Sequence, residues 1–294
     1  MHNELITIGI PVYNMEKSIL IAIDSCLKQS YKNLEILIVD DGSSDNSIKM
    51  IRQNISDSRV RIYQRQQNGG VCAAMQDLVE QAKGEYICFL DADDTMMSTR
   101  VEKQYMAIKS AEKRYPSRMI ASFCGSEVND ITAGKKYRID PNDLWNANAK
   151  HSFSGGTGHS MYRVADLMKL GNFDSRFSRS ADSAMCILFL MNGGFYAMVP
   201  EPLIIYNFYW NKNKKDIAKK ENKIFAELKK EVLADNPRNL YLQRFAGVTA
   251  DYSCKKSEIK LFGVIPLLTI RCKKKKIWLR LFGFIPFIQI KNKK

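Results

Sequence analysis

No run of apolar residues in this chain approaches the ~20 needed to cross a bilayer as a helix. The first residues, MHNELITIGIPVYN, lack the basic start and apolar core of a secretory signal, so a cytoplasmic location is expected. The seven cysteines form no C-x-x-C pair, and their odd number fits neither a disulfide framework nor a zinc site. Cys26, Cys72, Cys88 and Cys186 lie in apolar stretches, the setting of buried thiols in a reducing compartment. G-x-x-x-x-G-K-[ST] and G-x-G-x-x-G are also missing, which excludes an ATPase phosphate loop and a dinucleotide fingerprint. A nucleotidyltransferase would carry a basic Gly-rich loop near its N-terminus, where this chain has Pro11-Val12-Tyr13-Asn14.

Acidic residues are scarce relative to basic ones: 31 Asp and Glu face 45 Lys and Arg, a net charge of +14 at pH 7. The excess is concentrated at one end. Residues 255–294 hold twelve Lys or Arg and a single acid, Glu258, leaving about +3 on residues 1–254. A near-neutral body with a cationic tail suits an anchor to an anionic membrane surface better than a nucleic-acid groove. A nucleic-acid partner is not expected.

A length of 294 residues allows one large domain with an appendage. Apolar runs at Leu5–Val12, Leu34–Val39, Val60–Tyr63 and Tyr86–Leu90 predict strands, and Glu16–Lys28 and Val71–Ala82 predict helices between them. Ser43 or Ser44 fits the cap of a further helix after the second strand. Strands alternating with helices define right-handed βαβ units and a mostly parallel sheet flanked by helices. Met119–Cys124 predicts a further strand, 125–150 a hairpin, and 151–162 a Gly- and Ser-rich loop. Val164–Leu170 and Ser183–Met191 predict helices, followed by short strands at Phe195–Val199 and Leu203–Tyr206. The expected organisation is an α/β domain over 1–210, with halves at about 1–98 and 99–210. A basic helical segment over 211–254 and a basic, apolar tail over 255–294 follow.

In such sheets ligands bind off the carboxyl ends of the strands. Tyr13-Asn14, Asp40-Asp41-Gly42-Ser43 and Asp91-Ala92-Asp93-Asp94 follow three of the strands, so all three reach one rim. A lone D-x-D arises by chance in a chain this long. Here it caps the apolar run Tyr86-Ile87-Cys88-Phe89-Leu90, which puts three carboxylates at the mouth of a buried strand. Close carboxylates repel unless a cation joins them. Mg²⁺ or Mn²⁺ takes few protein carboxylates and fills its remaining positions with phosphate and water oxygens. Asn68-Gly69-Gly70 opens the helix from Val71, where glycines allow close backbone approach and the helix start favours phosphate.

Four segments in this order resemble the family-2 glycosyltransferases, inverting enzymes of GT-A fold. They are Pro11-Val12-Tyr13-Asn14, Val39-Asp40-Asp41-Gly42-Ser43-Ser44-Asp45, Asn68-Gly69-Gly70-Val71, and Ala82-Lys83-Gly84-Glu85-Tyr86-Ile87 leading into Phe89-Leu90-Asp91-Ala92-Asp93-Asp94. The resemblance spans roughly residues 4–210. It implies a nucleotide-sugar donor held by Pro11, Val12, Tyr13, Asp40, Asp41, Asn68, Gly70, Asp91 and Ala92. Uridine is the usual nucleoside, with Asp91 near the ribose. Asp93 would bind the Mn²⁺ or Mg²⁺ that holds the diphosphate. The family's catalytic base belongs to a Glu-Asp pair downstream of a Gly-x-Phe-Asp segment. Gly171-Asn172-Phe173-Asp174 matches that segment and Ala181-Asp182 occupies the place of the pair, which makes Asp182 the candidate base. As a polar residue ahead of an apolar helix, Asp182 also fits an N-cap.

Related sequences often carry Arg-Asn in place of Met75-Gln76 and Pro in place of Ser98. Gln-x-x-Arg-Trp, the mark of processive synthases, is absent, so addition of a single sugar to a glycan or glycolipid acceptor is implied. His151 and His159 flank the Gly-rich loop and fit acceptor contacts or a polar surface; Trp145 and Tyr162 fit sugar stacking or packing. In the tail, IKLFGVIPLLTIR (259–271) repeats as LRLFGFIPFIQIK (279–291). Short apolar blocks between cations suit either a peripheral membrane contact or strands packed on the domain.

Overall fold

The computed structural model describes residues 4–139, 157–177 and 181–208, positions 224 and 227, and the backbone of four strands within 256–291. Strands β1 (Ile6–Val12), β2 (Leu34–Asp40), β3 (Val60–Gln64) and β4 (Tyr86–Phe89) pair in parallel in the spatial order β3-β2-β1-β4. All residues of β2 are buried, because helices cover both faces of the sheet.

The two-residue period of the strands divides the core. Ile6, Ile8, Ile10, Ile36, Ile38, Tyr86 and Cys88 face one side, packed by α1 (Ile19–Leu27), α2 (Ser47–Asn54) and α4 (Arg100–Arg114). Leu37, Val39, Ile87 and Phe89 face the other, under α3 (Val71–Gln81), α5 (Val164–Lys169) and α6 (Ala181–Met191). The cysteines at 26, 72, 88, 124 and 186 are buried and unpaired.

Past β4 the sheet is mixed. It continues through β8 (Ser160–Arg163), β6 (Ile120–Asp130), β9 (Phe195–Phe208) and the short β5 (Thr95–Met96), while β7 (Lys135–Ile139) folds back on β6. Among the described strands of this half, β6–β9 pair in parallel and β4–β8, β6–β8, β6–β7 and β5–β9 are antiparallel. The two short strands expected around Pro200 and Pro202 are one strand of 14 residues. Its register on β6 shifts at Cys124, Gly125 and Ser126. Proline cannot donate to a ladder, and the irregularity accommodates both without ending the strand.

Strands β10 (Lys256–Leu261), β11 (Ile265–Lys273), β12 (Lys276–Leu281) and β13 (Ile288–Lys291) form a second, antiparallel sheet from the tail repeat. Ile224 and Glu227 are helical, within the basic helical segment expected over 211–254, whose other positions lie outside the described residues. Trp145 and His151 also lie outside them. Among the described residues no helix is long and apolar enough to cross a membrane.

Candidate active site

The carboxyl ends of β1, β2 and β4 come together as the parallel register requires: Val12 lies beside Asp40, and the Asp41 N–H donates to Val12 O at 2.8 Å. The loops after β1 and β2 are laced together. Asn14, in the left-handed region at φ 55°, accepts from the N–H groups of Ser44 (2.8 Å) and Asp45 (3.3 Å) and donates its own N–H to Ser43 Oγ at 3.0 Å. Ser43 and Ser44 therefore serve this lacing and do not cap α2. That helix begins at Ser47, whose N–H donates to Asp45 Oδ1 at 2.9 Å. Tyr13 is left exposed at the rim, with Pro11 half-buried and Val12 buried behind it.

Asp40 and Asp41 are both buried, and each has structural partners. Asp40 accepts from the Ser43 N–H at 3.1 Å and from Gln64 Nε2 at 3.2 Å. Asp41 accepts from the N–H groups of Gly69 (2.8 Å) and Gly70 (2.7 Å) and pairs with Arg65 Nε at 3.0 Å. Asn68 Oδ1 also accepts from the Gly70 N–H. Gly70 caps α3 at φ 83°, a conformation that side-chain-bearing residues rarely adopt. Val12, Asp40, Asp41, Asn68 and Gly70 thus belong to one hydrogen-bonded frame.

The Asp91-Ala92-Asp93-Asp94 turn closes with the Asp94 N–H donating to Asp91 O at 3.0 Å. Asp94 is turned inward and accepts from the Asn207 N–H at 2.8 Å. The Asn207 side chain donates to Asp93 O and accepts from Asn129 Nδ2, so the end of β9 holds the turn. Solvent reaches Asp91 from the open side of the rim. Loss of hydration against the surrounding protein nevertheless pushes its carboxyl up to about 7, reinforced by Asp93 and Asp182 and opposed by Arg100. Burial and then Asp91 raise Asp94 to about 9, and burial raises Asp93.

Asp182 stands in the first turn of α6, one residue inside its start, and the Ser183 N–H donates to its Oδ1 at 2.6 Å. Its charge acts on Asp91 and on Tyr206, whose hydroxyl is raised by burial and by Asp91, Asp94, Asp93 and Asp182. Asp182 therefore lies within electrostatic reach of the D-A-D turn although 91 positions separate it from Asp91. The Gly171–Asp174 segment is docked on α3: Gln76 Nε2 donates to Phe173 O at 2.6 Å, and Asn172 Nδ2 donates to Gln76 O at 3.1 Å. The departure at Met75-Gln76 thus supplies the side chain that fixes this segment.

Among the described residues no three His, Cys, Asp or Glu side chains form a ready-made metal cage. One or two crowded carboxylates at an open rim fit a divalent ion whose other ligands are diphosphate and water oxygens.

Several site-supporting residues carried no clear signal in the sequence. Arg100 is fully buried and donates to Phe89 O (3.1 Å), Gly158 O (2.7 Å) and Gln104 Oε1 (2.9 Å). Gln104 in turn donates to His159 O at 2.9 Å. An Arg on the core-facing side of α4, beside Val101, was the available clue. His159 is buried against Phe123, contrary to a polar surface role, and burial pushes its imidazole down to about 3. Tyr162 is a core residue, bonded to Tyr196 Oη at 2.6 Å and to Cys186, and is not placed to stack on a sugar.

A parallel half-sheet with laced loops at its carboxyl rim, extended by a mixed half that brings a carboxylate to a D-A-D turn, is the GT-A architecture. The family model "Glycosyl transferase family 2" matches residues 7–171, and the chain belongs to that family. An uncharacterized glycosyltransferase of Haemophilus influenzae is 37% identical over 139 residues, 46% of this chain and 56% of its own length. An Escherichia coli UDP-Glc:alpha-D-GlcNAc-diphosphoundecaprenol beta-1,3-glucosyltransferase is 39% identical over 101 residues, 34% of this chain and 40% of its own. The chain spans about half the length of these curated relatives. Staphylococcus aureus TarS in complex with UDP-GlcNAc has a similar fold, with TM-score 0.60 at 17% identity over 79% of this chain and 66% of that one.

Proposed function

We propose that this chain is an inverting, non-processive glycosyltransferase. It moves a hexose or N-acetylhexosamine from a UDP-sugar to a hydroxyl of a glycan or lipid-linked glycan, in surface-glycan assembly at the inner face of the cell membrane. The reading is supported by the electrostatic reach of Asp182 to the D-A-D turn, on the sheet whose parallel register also brings the loops after β1 and β2 together. The uridine donor and the lipid-linked acceptor are supported by the activity of the E. coli relative.

In the proposed reaction Asp182 accepts the proton of the acceptor hydroxyl while that oxygen bonds to the anomeric carbon. The bond from that carbon to the diphosphate breaks from the opposite face, its electron pair leaving with the nucleotide, so one displacement inverts the centre. Asp93 would hold a Mn²⁺ or Mg²⁺ ion, which supplies neutralising charge to the departing diphosphate. Tyr13, Asp40 and the Asn68–Gly70 turn hold the nucleoside, and the bonds of Asp41 to Gly69 and Gly70 keep that turn in place.

The test is a screen of UDP release and sugar transfer across UDP-sugars, with and without Mn²⁺, for wild type and Asp182→Asn. Metal-dependent release that falls about 10²- to 10⁴-fold in the variant, with donor binding retained, is the expected result. Absence of binding by any nucleotide sugar in the presence of metal would overturn the reading.

A further inference from the structure

The tail sheet sorts its residue types by face. In an antiparallel ladder, residues directly opposite share a face and successive residues alternate between faces. Lys273 pairs with Lys276, and Lys276 with Lys291, which makes a row of three lysines across β11, β12 and β13. Two positions along β11, Arg271 pairs with Lys256 and with Trp278, which pairs with Gln289. Two further on, Thr269 pairs with Glu258 and Arg280. These three rows occupy one face, with six cations and one acid.

The intervening rows hold no charge. Cys272, Ile277 and Ile290 form one; Ser257, Ile270, Leu279 and Ile288 the next; Ile259, Leu268 and Leu281 the third. The irregularity between Ile259 and Lys260 ends the pattern on β10. The period-20 repeat thus yields a sheet with one apolar and one cationic face.

Like charges directly opposite one another destabilise a sheet. Lys273, Lys276 and Lys291 gain nothing from one another, and the single acid on the face lies four positions along the ladder, opposite Thr269. An external anionic plane converts that repulsion into attraction. Four strands by five residues give a patch roughly 14 Å on a side, within which cations less than about a Debye length apart act together. Such a two-dimensional array of cations matches a surface of anionic headgroups.

We propose that the cationic face of the β10–β13 sheet, set by the juxtaposition of Lys256, Arg271, Lys273, Lys276, Arg280 and Lys291, docks on an anionic lipid bilayer. This places the catalytic domain beside a lipid-linked acceptor. The choice of a bilayer as the anionic surface rests on the glycosyltransferase reading; the lipid assay itself does not use activity, so the two can fail separately.

The experiment is co-sedimentation of the full chain with phosphatidylcholine vesicles, with and without phosphatidylglycerol, at low and high salt. Binding is expected only with phosphatidylglycerol and is lost at high salt. The combined change Lys273→Gln, Lys276→Gln and Lys291→Gln is expected to weaken it about a hundredfold, at about fivefold per cation. The same charge removed elsewhere, at the exposed Lys83, Lys135 and Lys136, is expected to change it less than about threefold. Four results would overturn the proposal: no binding to anionic vesicles; salt-resistant binding to phosphatidylcholine, which would assign the apolar face; equal weakening by both triple variants; or displacement from vesicles by an RNA oligonucleotide at lower concentration. UDP release is expected to be unchanged in the tail variant. A wild-type protein that binds vesicles but releases no UDP would sink the catalytic reading alone.

Discussion

Asp41 holds Gly70: its carboxylate accepts the Gly70 N–H at 2.7 Å and the adjacent Gly69 N–H at 2.8 Å, tying the end of β2 to the entry of α3. Two amides that would otherwise await an anion at a helix start are thus satisfied from within, and Arg65 balances the buried charge. Asp41→Asn keeps the size but can accept through only one oxygen and loses the charge opposite Arg65, leaving one glycine amide with a weaker bond or, at Gly70, with Asn68 Oδ1 alone. A loss of about 1–3 kcal/mol of stability is expected, measured by urea unfolding, together with roughly tenfold weaker UDP binding by calorimetry. Unchanged affinity would separate this frame from the donor site.

Arg100 joins the two halves of the domain, because Phe89 lies at the end of β4 and Gly158 precedes β8. Its charge opposes the upward shift of the Asp91 and Asp94 carboxyls. Arg100→Met removes a buried cation but strands two carbonyls and the Gln104 oxygen, for an expected loss of about 2–4 kcal/mol of stability, measured by denaturant unfolding. Arg100→Lys keeps the charge but cannot bridge all three acceptors. An intermediate loss is expected, with kcat reduced about tenfold through displacement of the D-A-D turn.

His159 makes stability pH-dependent. Both its ring nitrogens are buried without a hydrogen-bond partner, and burial, followed by the nearby Arg100, depresses it to about 3. The unfolded chain takes up that proton near pH 6.5, whereas the folded one does not. The contribution is therefore complete above about pH 6.5 and is lost as pH falls from there toward 3, by about 1.4 kcal/mol per pH unit. His159→Phe should flatten the stability profile between pH 6 and 4 relative to wild type, with little change at pH 8. Parallel profiles for the two proteins would refute it.

The strands of the parallel half of the sheet could be read from the sequence because each is a short apolar run bounded by turn residues, as Leu34–Asp40 illustrates. The rim residues were legible for the same reason: a parallel sheet delivers every strand end to one edge. The partners of those residues were not. Nothing local to Asp94 marks Asn207, 113 positions away, and Ser43 looks like a helix cap until its bond to Asn14 is seen. His159 reads as polar wherever its neighbours are Gly and Ser, and only the packing of Phe123 on its ring reveals a core position. The two faces of the tail depend on strand register, which the repeat alone does not specify.

The four residues of the Asp91–Asp94 turn have different duties, and substitution can separate them. Asp94 faces inward and is used by the fold, its Oδ1 receiving the Asn207 N–H. An amide oxygen accepts that bond equally well, so Asp94→Asn is expected to retain kcat/KM within about fivefold. Asp93 is bonded by Asn207 through its backbone oxygen, and its carboxylate is the one proposed above to hold a divalent ion. Asp93→Asn keeps the backbone bond and loses the charge that would hold that ion. A drop of at least about a hundredfold in Mn²⁺-dependent UDP release is expected, with an unchanged melting temperature. Equal losses in the two variants would mean that the turn acts as a unit. A larger loss in Asp94→Asn would move the metal-binding role from Asp93 to its neighbour.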